Sequence, residues 1–249
     1  MGTRSTKRMP QAKRTRVARV PRRRARPEWV HQFLVVLTGT DPLIWRRIQV
    51  PLEYTFWDLH VALQDAMGWH DSHLHEFRLL DPMETHSVSI GIPTDENRAG
   101  QSVVPSWDVP LSGFFERRGW HALPVLYAYD FGDDWEHMLV HEEMVPADPP
   151  LSYPRCVAGA RRCPPEDCGG PRGYARFLEA MASRRHPRHK EMLAWAGGAF
   201  DPNAFDPAAV RFDDPRRRWN DAFGRRGERA MQRAPALTRP RRPHRLKST

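Results

Sequence analysis

The chain is short of several things, and each shortage narrows what it can be. Nowhere in its 249 residues is there an apolar run near the ~20 that a membrane-spanning helix needs. The stretch 33–37 behind Arg22-Arg23-Arg24 is too short for the ~7–15-residue core of a secretory signal. Cysteine occurs only three times, an odd number that does not suggest a secreted disulfide scaffold. The expectation is a cytoplasmic protein with no membrane partner.

Acid is missing from residues 1–26, which hold eleven basic residues, while residues 215–249 hold twelve against Asp221 and Glu228. The formal charge of +9 therefore conceals a middle segment with 16 basic and 28 acidic residues, net −12. The ends lack apolar periodicity, so residues 1–27 and 215–249 read as disordered basic arms around one folded domain, residues 28–214. Such arms solubilise a chain, or contact nucleic-acid phosphates without reading sequence. An acidic domain repels a duplex, so any such contact is expected through the arms.

Within the domain, residues 29–37 are β-branched and aromatic and end at Thr38-Gly39-Thr40-Asp41-Pro42, a turn sequence. Residues 44–50 follow as a second strand, and a hairpin joins the two. Thr55 then reads as an N-cap with Asp58 as its partner, and Phe56, Leu59, Leu63, Ala66 and Met67 recur at helical spacing up to Gly68, a left-handed C-cap. Strand signals return at 73–80, 126–131 and 135–143, with a short one near 88–90. Tyr174, Phe177, Leu178 and Met181 mark a later helix, and a second runs from Pro187 to Gly197-Gly198. This order predicts an α+β fold: a mixed sheet opening with a hairpin-then-helix, β-grasp-like unit, helices on one face, and C-terminal helices.

Three clusters carry residue types with chemistry. In Gly68-Trp69-His70-Asp71-Ser72-His73-Leu74-His75-Glu76-Phe77, a strand would place His73 and His75 on one face. Such a pair either binds a metal or moves protons, or is simply hydrogen-bonded. In Tyr127-Ala128-Tyr129-Asp130-Phe131-Gly132-Asp133-Asp134-Trp135-Glu136-His137, the carboxylates suit a hard cation or an ordinary tight turn. Asp130-Phe131-Gly132 has no Gly-rich loop or catalytic-loop motif beside it to make it a kinase element. Cys156, Cys163 and Cys168 fall in one Pro/Gly-rich loop. Thiolates there suit a zinc site with His73, His75 or His137 as fourth ligand, although spacings of six and four intervening residues equally fit free thiols.

Ile44-Trp45-Arg46-Arg47, Met67-Gly68-Trp69 running into residues 72–77, and the segments 129–137, 163–170 and 197–205 together resemble the plasmid pRiA open-reading-frame-three-like family. Its members are also labelled insertion-element passenger proteins of the TnpR type. The resemblance spans about residues 30–214 and implies an α+β domain carried on plasmids, transposable elements and chromosomes. It does not bring recombinase chemistry, because no activated serine among arginines and no helix-turn-helix is present. The resulting expectation is an accessory binding module with a structural zinc site and non-specific nucleic-acid contact through its arms. The alternative is a metal-dependent hydrolase using His73, His75 and His137 with Asp133 or Asp134.

Overall fold

Alternation of side chains along the strands builds the domain around one sheet. The computed structural model describes residues 28–79, 88–94, 102–115 and 124–231; expectations for 1–27 and 232–249 lie outside them. Strands β1 (Trp29–Leu37) and β2 (Ile44–Pro51) form the opening hairpin, and α1 (Phe56–Met67) follows. Then come β3 (His75–Leu79), β4 (Val88–Gly91), β5 (Val103–Pro105), the short α2 (Leu111–Phe115), β6 (Val125–Tyr129), β7 (Trp135–Pro146) and β8 (Arg155–Ala160). The eight strands are ordered β5-β4-β3-β6-β7-β1-β2-β8. All neighbours are antiparallel except β4 and β5.

Thr55 caps α1 through a reciprocal pair, its hydroxyl accepting from Asp58 N while Asp58 accepts from Thr55 N, and Gly68 ends it at φ 84°. Position-two alternation then sends Phe33, Val35, Leu37, Phe77, Tyr127, Trp135 and Leu139 into the same core as Phe56, Leu59 and Leu63 of α1. The opposite face carries a polar ladder: Arg47 binds Glu142 through two hydrogen bonds of 2.7 Å, and Arg78 pairs with Glu136 at 3.0 Å. After α1 the chain does not return beside β1. It enters β3, with β6 and β7 in between.

Arg46, 1% exposed, explains one of the sequence segments singled out above. Its guanidinium donates to the carbonyls of Ala66 at 2.9 Å, Trp45 at 2.8 Å and Ala160 at 2.9 Å. It also lies 3.6 Å from the centre of the Phe205 ring. One cation thereby ties together β2, the end of α1, β8 and the C-terminal segment.

Two of the departures from the sequence reading change where a residue named above belongs. Cys156 is not on a loop, because β8 pairs with β2 and sets Cys156 opposite Ile48; six residues without apolar alternation gave no strand signal. The expected domain end at 214 is passed by a helix, α5 (Pro215–Met231). Arg218 meets Asp65 at 2.7 Å, Asp213 at 2.8 Å and Asp71 at 3.5 Å. Trp219 packs edge-on against Trp57 at 5.3 Å and Trp107 at 4.5 Å. Partners this distant in sequence are invisible to a composition argument. Helices α3 (Gly170–Ala182) and α4 (His189–Trp195) lie where their apolar spacing placed them. No helix among the described residues is long and apolar enough to cross a membrane.

Candidate metal centre

Three chain reversals meet at one end of the sheet. The first follows β6, where Asp130 takes a left-handed φ of 56°. Its Oδ1 accepts from Gly132 N at 2.9 Å and Asp133 N at 3.3 Å, an Asx-type turn. That leaves Oδ2 facing His73 Nε2 at 3.5 Å. The second reversal precedes β3. His73 stands two residues before the strand, with its ring at the surface. The third is the loop between β8 and α3, where Asp167, at φ 58°, brings Oδ1 to 3.0 Å from His73 Nε2.

The loop that delivers Asp167 is held by Glu166. Its Oε1 accepts the Tyr129 hydroxyl at 2.6 Å and its Oε2 accepts His70 N at 3.0 Å. Burial, together with the adjacent Glu166 carboxylate, pushes the Tyr129 phenol far up, so it remains a donor. Trp69 Nε1 donates to Pro164 O at 2.9 Å, and Gly169 N to Asp133 Oδ2 at 3.0 Å. Gly170, at φ 66°, sits where any Cβ would run into the Asp133 carbonyl. Only glycine permits this approach.

Ligand atoms of His73, Asp130 and Asp167 all lie within 4.8 Å of one another, the one such group among the described residues. One imidazole and two carboxylates form a mixed N/O donor set suited to Zn²⁺ or Mn²⁺. Asp130 is nearly buried while the Asp167 side chain is 72% exposed, so one carboxylate is held from within and the other stands in solvent. On one side lies a cavity of about 400 Å³ lined by His73, Asp130, Asp71, Trp57 and Phe223. On the other a cavity of about 650 Å³ includes Asp167, Glu166 and Trp69.

Comparison with other proteins fits this chain into a known group. The family model for plasmid pRiA4b ORF-3-like proteins matches residues 29–209. The chain belongs to that family. It is 38% identical over 183 residues to the uncharacterized protein y4hQ of Sinorhizobium fredii, covering 74% of this chain and 87% of that one. It also resembles the crystal structure of MM3350, a protein of unknown function from Methanosarcina mazei Go1. There the TM-score is 0.65 at 38% identity, over 75% of this chain and 99% of the other.

In this pRiA4b ORF-3-like domain the residues expected to act together are distributed differently. His73 and His75 do not share a face: His73 lies outside the strand beside Asp130 and Asp167, and His75 is buried under α1. There His75 stacks on His60 at 3.5 Å with 12° between the rings. Burial, then the neighbouring His60, pulls its pKa well down. His137 is also interior, its Nδ1 3.2 Å from Tyr127 O, and burial lowers its pKa to about 3. Asp133 serves the loop through Gly169. Asp134 is exposed in the turn, at φ 54°. Neither joins the three-ligand group.

The cysteines are likewise apart from it. Cys156 Sγ points to Ala158 O at 3.4 Å in β8. Cys163 is buried and Cys168 half-buried, and all three are unbonded thiols. Burial raises the pKa of each, that of Cys168 to about 12, which favours the protonated form. Asp130 and Asp167 were both present in the sequence clusters, as turn residue and as neighbour of Cys168. Nothing in their spacing pairs residues 37 positions apart. Two further buried histidines, His31 and His141, whose Nδ1 and Nε2 lie 3.0 Å apart, are not paired by any sequence signal, because each reads as one position of a separate alternating strand.

Proposed function

We propose that this protein is a metal-dependent binding module whose ion is held by His73, Asp130 and Asp167. The observation that supports it is the convergence of their three ligand atoms from three separate chain reversals. Three protein ligands leave at least one coordination position free, which is the arrangement that binding or activating a further ligand needs. This reading moves the expected zinc from the cysteines to the His/Asp group. The hydrolase alternative would use the same open position.

Titration of the full chain with Zn²⁺ and with Mn²⁺, followed calorimetrically, tests it. Asp167→Asn and His73→Ala each weaken binding about tenfold or more, whereas Cys163→Ser and Cys168→Ser leave it unchanged. Loss of the ion in the cysteine variants alone returns the metal to the thiols. Release of a product from a nitrophenyl ester or phosphate by the loaded protein would favour the hydrolase.

The Arg-rich segments support a second, separate reading, sequence-independent contact with nucleic acid. The eleven basic residues of 1–26, with no acid among them, carry it. Removing residues 1–26 should flatten the salt dependence of DNA binding, since the slope counts phosphates neutralised.

A further inference from the structure

The cavity of about 650 Å³ beside the metal centre has walls of two kinds, and together they suit one kind of guest. Asp167 belongs both to the cavity and to the three-ligand group. Glu166 also lines it, but each of its oxygens already accepts a hydrogen bond, from Tyr129 and from His70 N. Arg162 is different. It forms no ion pair among the described residues, and its guanidinium is held 4.7 Å over the Phe200 ring. Trp195, the last residue of α4, is 45% exposed and lines the same cavity. An edge-to-face contact with Phe177 at 5.7 Å and 70° fixes its indole.

Charge decides what can enter. Among the cavity lining and the three-ligand group, the carboxylates of Asp130, Glu166 and Asp167 outnumber the guanidinium of Arg162 by two, so an anion is disfavoured there in the metal-free protein. A divalent ion at His73, Asp130 and Asp167 cancels that excess and offers an open position to an anionic oxygen. Arg162 then supplies a directional donor for the same group, and a fixed, half-exposed indole supplies a stacking surface.

We infer that the cavity lined by Arg162, Trp195 and Asp167 binds a small ligand made of a planar ring carrying an anionic oxygen group, phosphate or carboxylate, and that it does so only with the metal in place. The ring stacks on Trp195, and the anionic group bridges Arg162 and the ion. A cavity of this size holds a ligand on the scale of a nucleoside monophosphate. The inference rests on the metal reading above and adds the ligand class to it.

Equilibrium dialysis of the full chain with adenosine monophosphate and, separately, with benzoate tests the inference. Each probe is used with saturating Mn²⁺ and without metal, after Mn²⁺ uptake has been measured by itself. At least one probe binds at least tenfold more tightly with Mn²⁺, and the preferred probe tells phosphate from carboxylate. Arg162→Gln and Trp195→Ala each weaken that binding about tenfold while leaving Mn²⁺ uptake unchanged, which also shows that both variants are folded. Mn²⁺ uptake with neither probe bound, equal binding without metal, or unaffected variants overturns this inference and spares the metal reading. Failure to take up Mn²⁺ or Zn²⁺ overturns both.

Discussion

His60 and His75 lie ring on ring, 3.5 Å between centroids and 12° from parallel, in the core between α1 and β3. His60 uses both nitrogens, Nε2 with Asp71 Oδ1 and Nδ1 with the Tyr127 hydroxyl, each at 2.8 Å. His75 uses neither: Nδ1 and Nε2 have no hydrogen-bond partner among the described residues. The pair therefore combines one satisfied imidazole with one that loses its hydration on folding and recovers nothing direct.

An unsatisfied buried polar group costs about 1–3 kcal/mol. Replacing it with an apolar ring of similar shape should recover part of that. His75→Phe is expected to raise the midpoint of urea unfolding, by about 1 kcal/mol in stability, whereas His60→Phe lowers it by removing one hydrogen bond from each of Asp71 and Tyr127. Calorimetric melts of the two variants decide the matter. A fall for His75→Phe would mean that an ordered water completes the His75 ring.

Acid should unfold this protein early. Burial, with His141 adding to it, depresses His31 to about 4, and burial depresses His137 to about 3. Both sit below the ordinary histidine value of about 6.5. A base kept neutral in the folded state takes up its proton on unfolding, so the unfolded chain binds more protons once pH drops under about 6.5. Stability is full above that pH. It falls between about 6.5 and 4 at up to about 1.4 kcal/mol per pH unit for each histidine, the His137 part continuing toward 3. Urea midpoints at pH 7.5, 6 and 5 measure the slope, and His31→Phe should reduce it by one proton.

Two glycines with left-handed backbone should respond unequally to alanine. Gly68 has φ 84° and open space around a built Cβ, whereas Gly170 has φ 66° and would drive its Cβ into the Asp133 carbonyl. Gly68→Ala should cost about 1 kcal/mol. Gly170→Ala should cost more, about 2–3 kcal/mol, and weaken metal binding because its loop carries Asp167. Thermal melts with a parallel Mn²⁺ titration check both; equal losses would show that the loop yields.

The first turns of α5 should prove part of the fold. Arg218 neutralises Asp65 and Asp71, whose side chains are 7% and 9% exposed. Arg218→Ala is therefore expected to destabilise by about 2 kcal/mol, less than a fully buried pair because Arg218 reaches solvent. Cutting the chain after residue 214 should do at least as much, since it also uncovers Trp57. An unchanged melting temperature on truncation would return the boundary to 214.

Much of the framework was legible one residue at a time. Thr55, Asp58 and Gly68 mark the ends of α1 because caps are local chemistry, and β1, β2 and β7 alternate because one face meets the core. β8 was hidden because an edge strand with residues such as Ala158 and Gly159 shows no alternation. The candidate site was legible only as ingredients. His73 looked like the partner of His75 because a strand was drawn two residues too early, and Asp167 looked like the neighbour of a zinc cysteine.

The sequence by itself determined the α+β class, the caps of α1, the family and the concentration of basic residues toward the two ends of the chain, all set by interactions within a few residues or by composition. Tertiary structure alone decided that His75 is interior while His73 is at the surface, that Arg218 belongs to the core's edge, and that Asp130 and Asp167 both reach His73. Those outcomes depend on how strands far apart in sequence register against one another. No local pattern of charge or hydrophobicity encodes the 3.0 Å approach of Asp167 to His73.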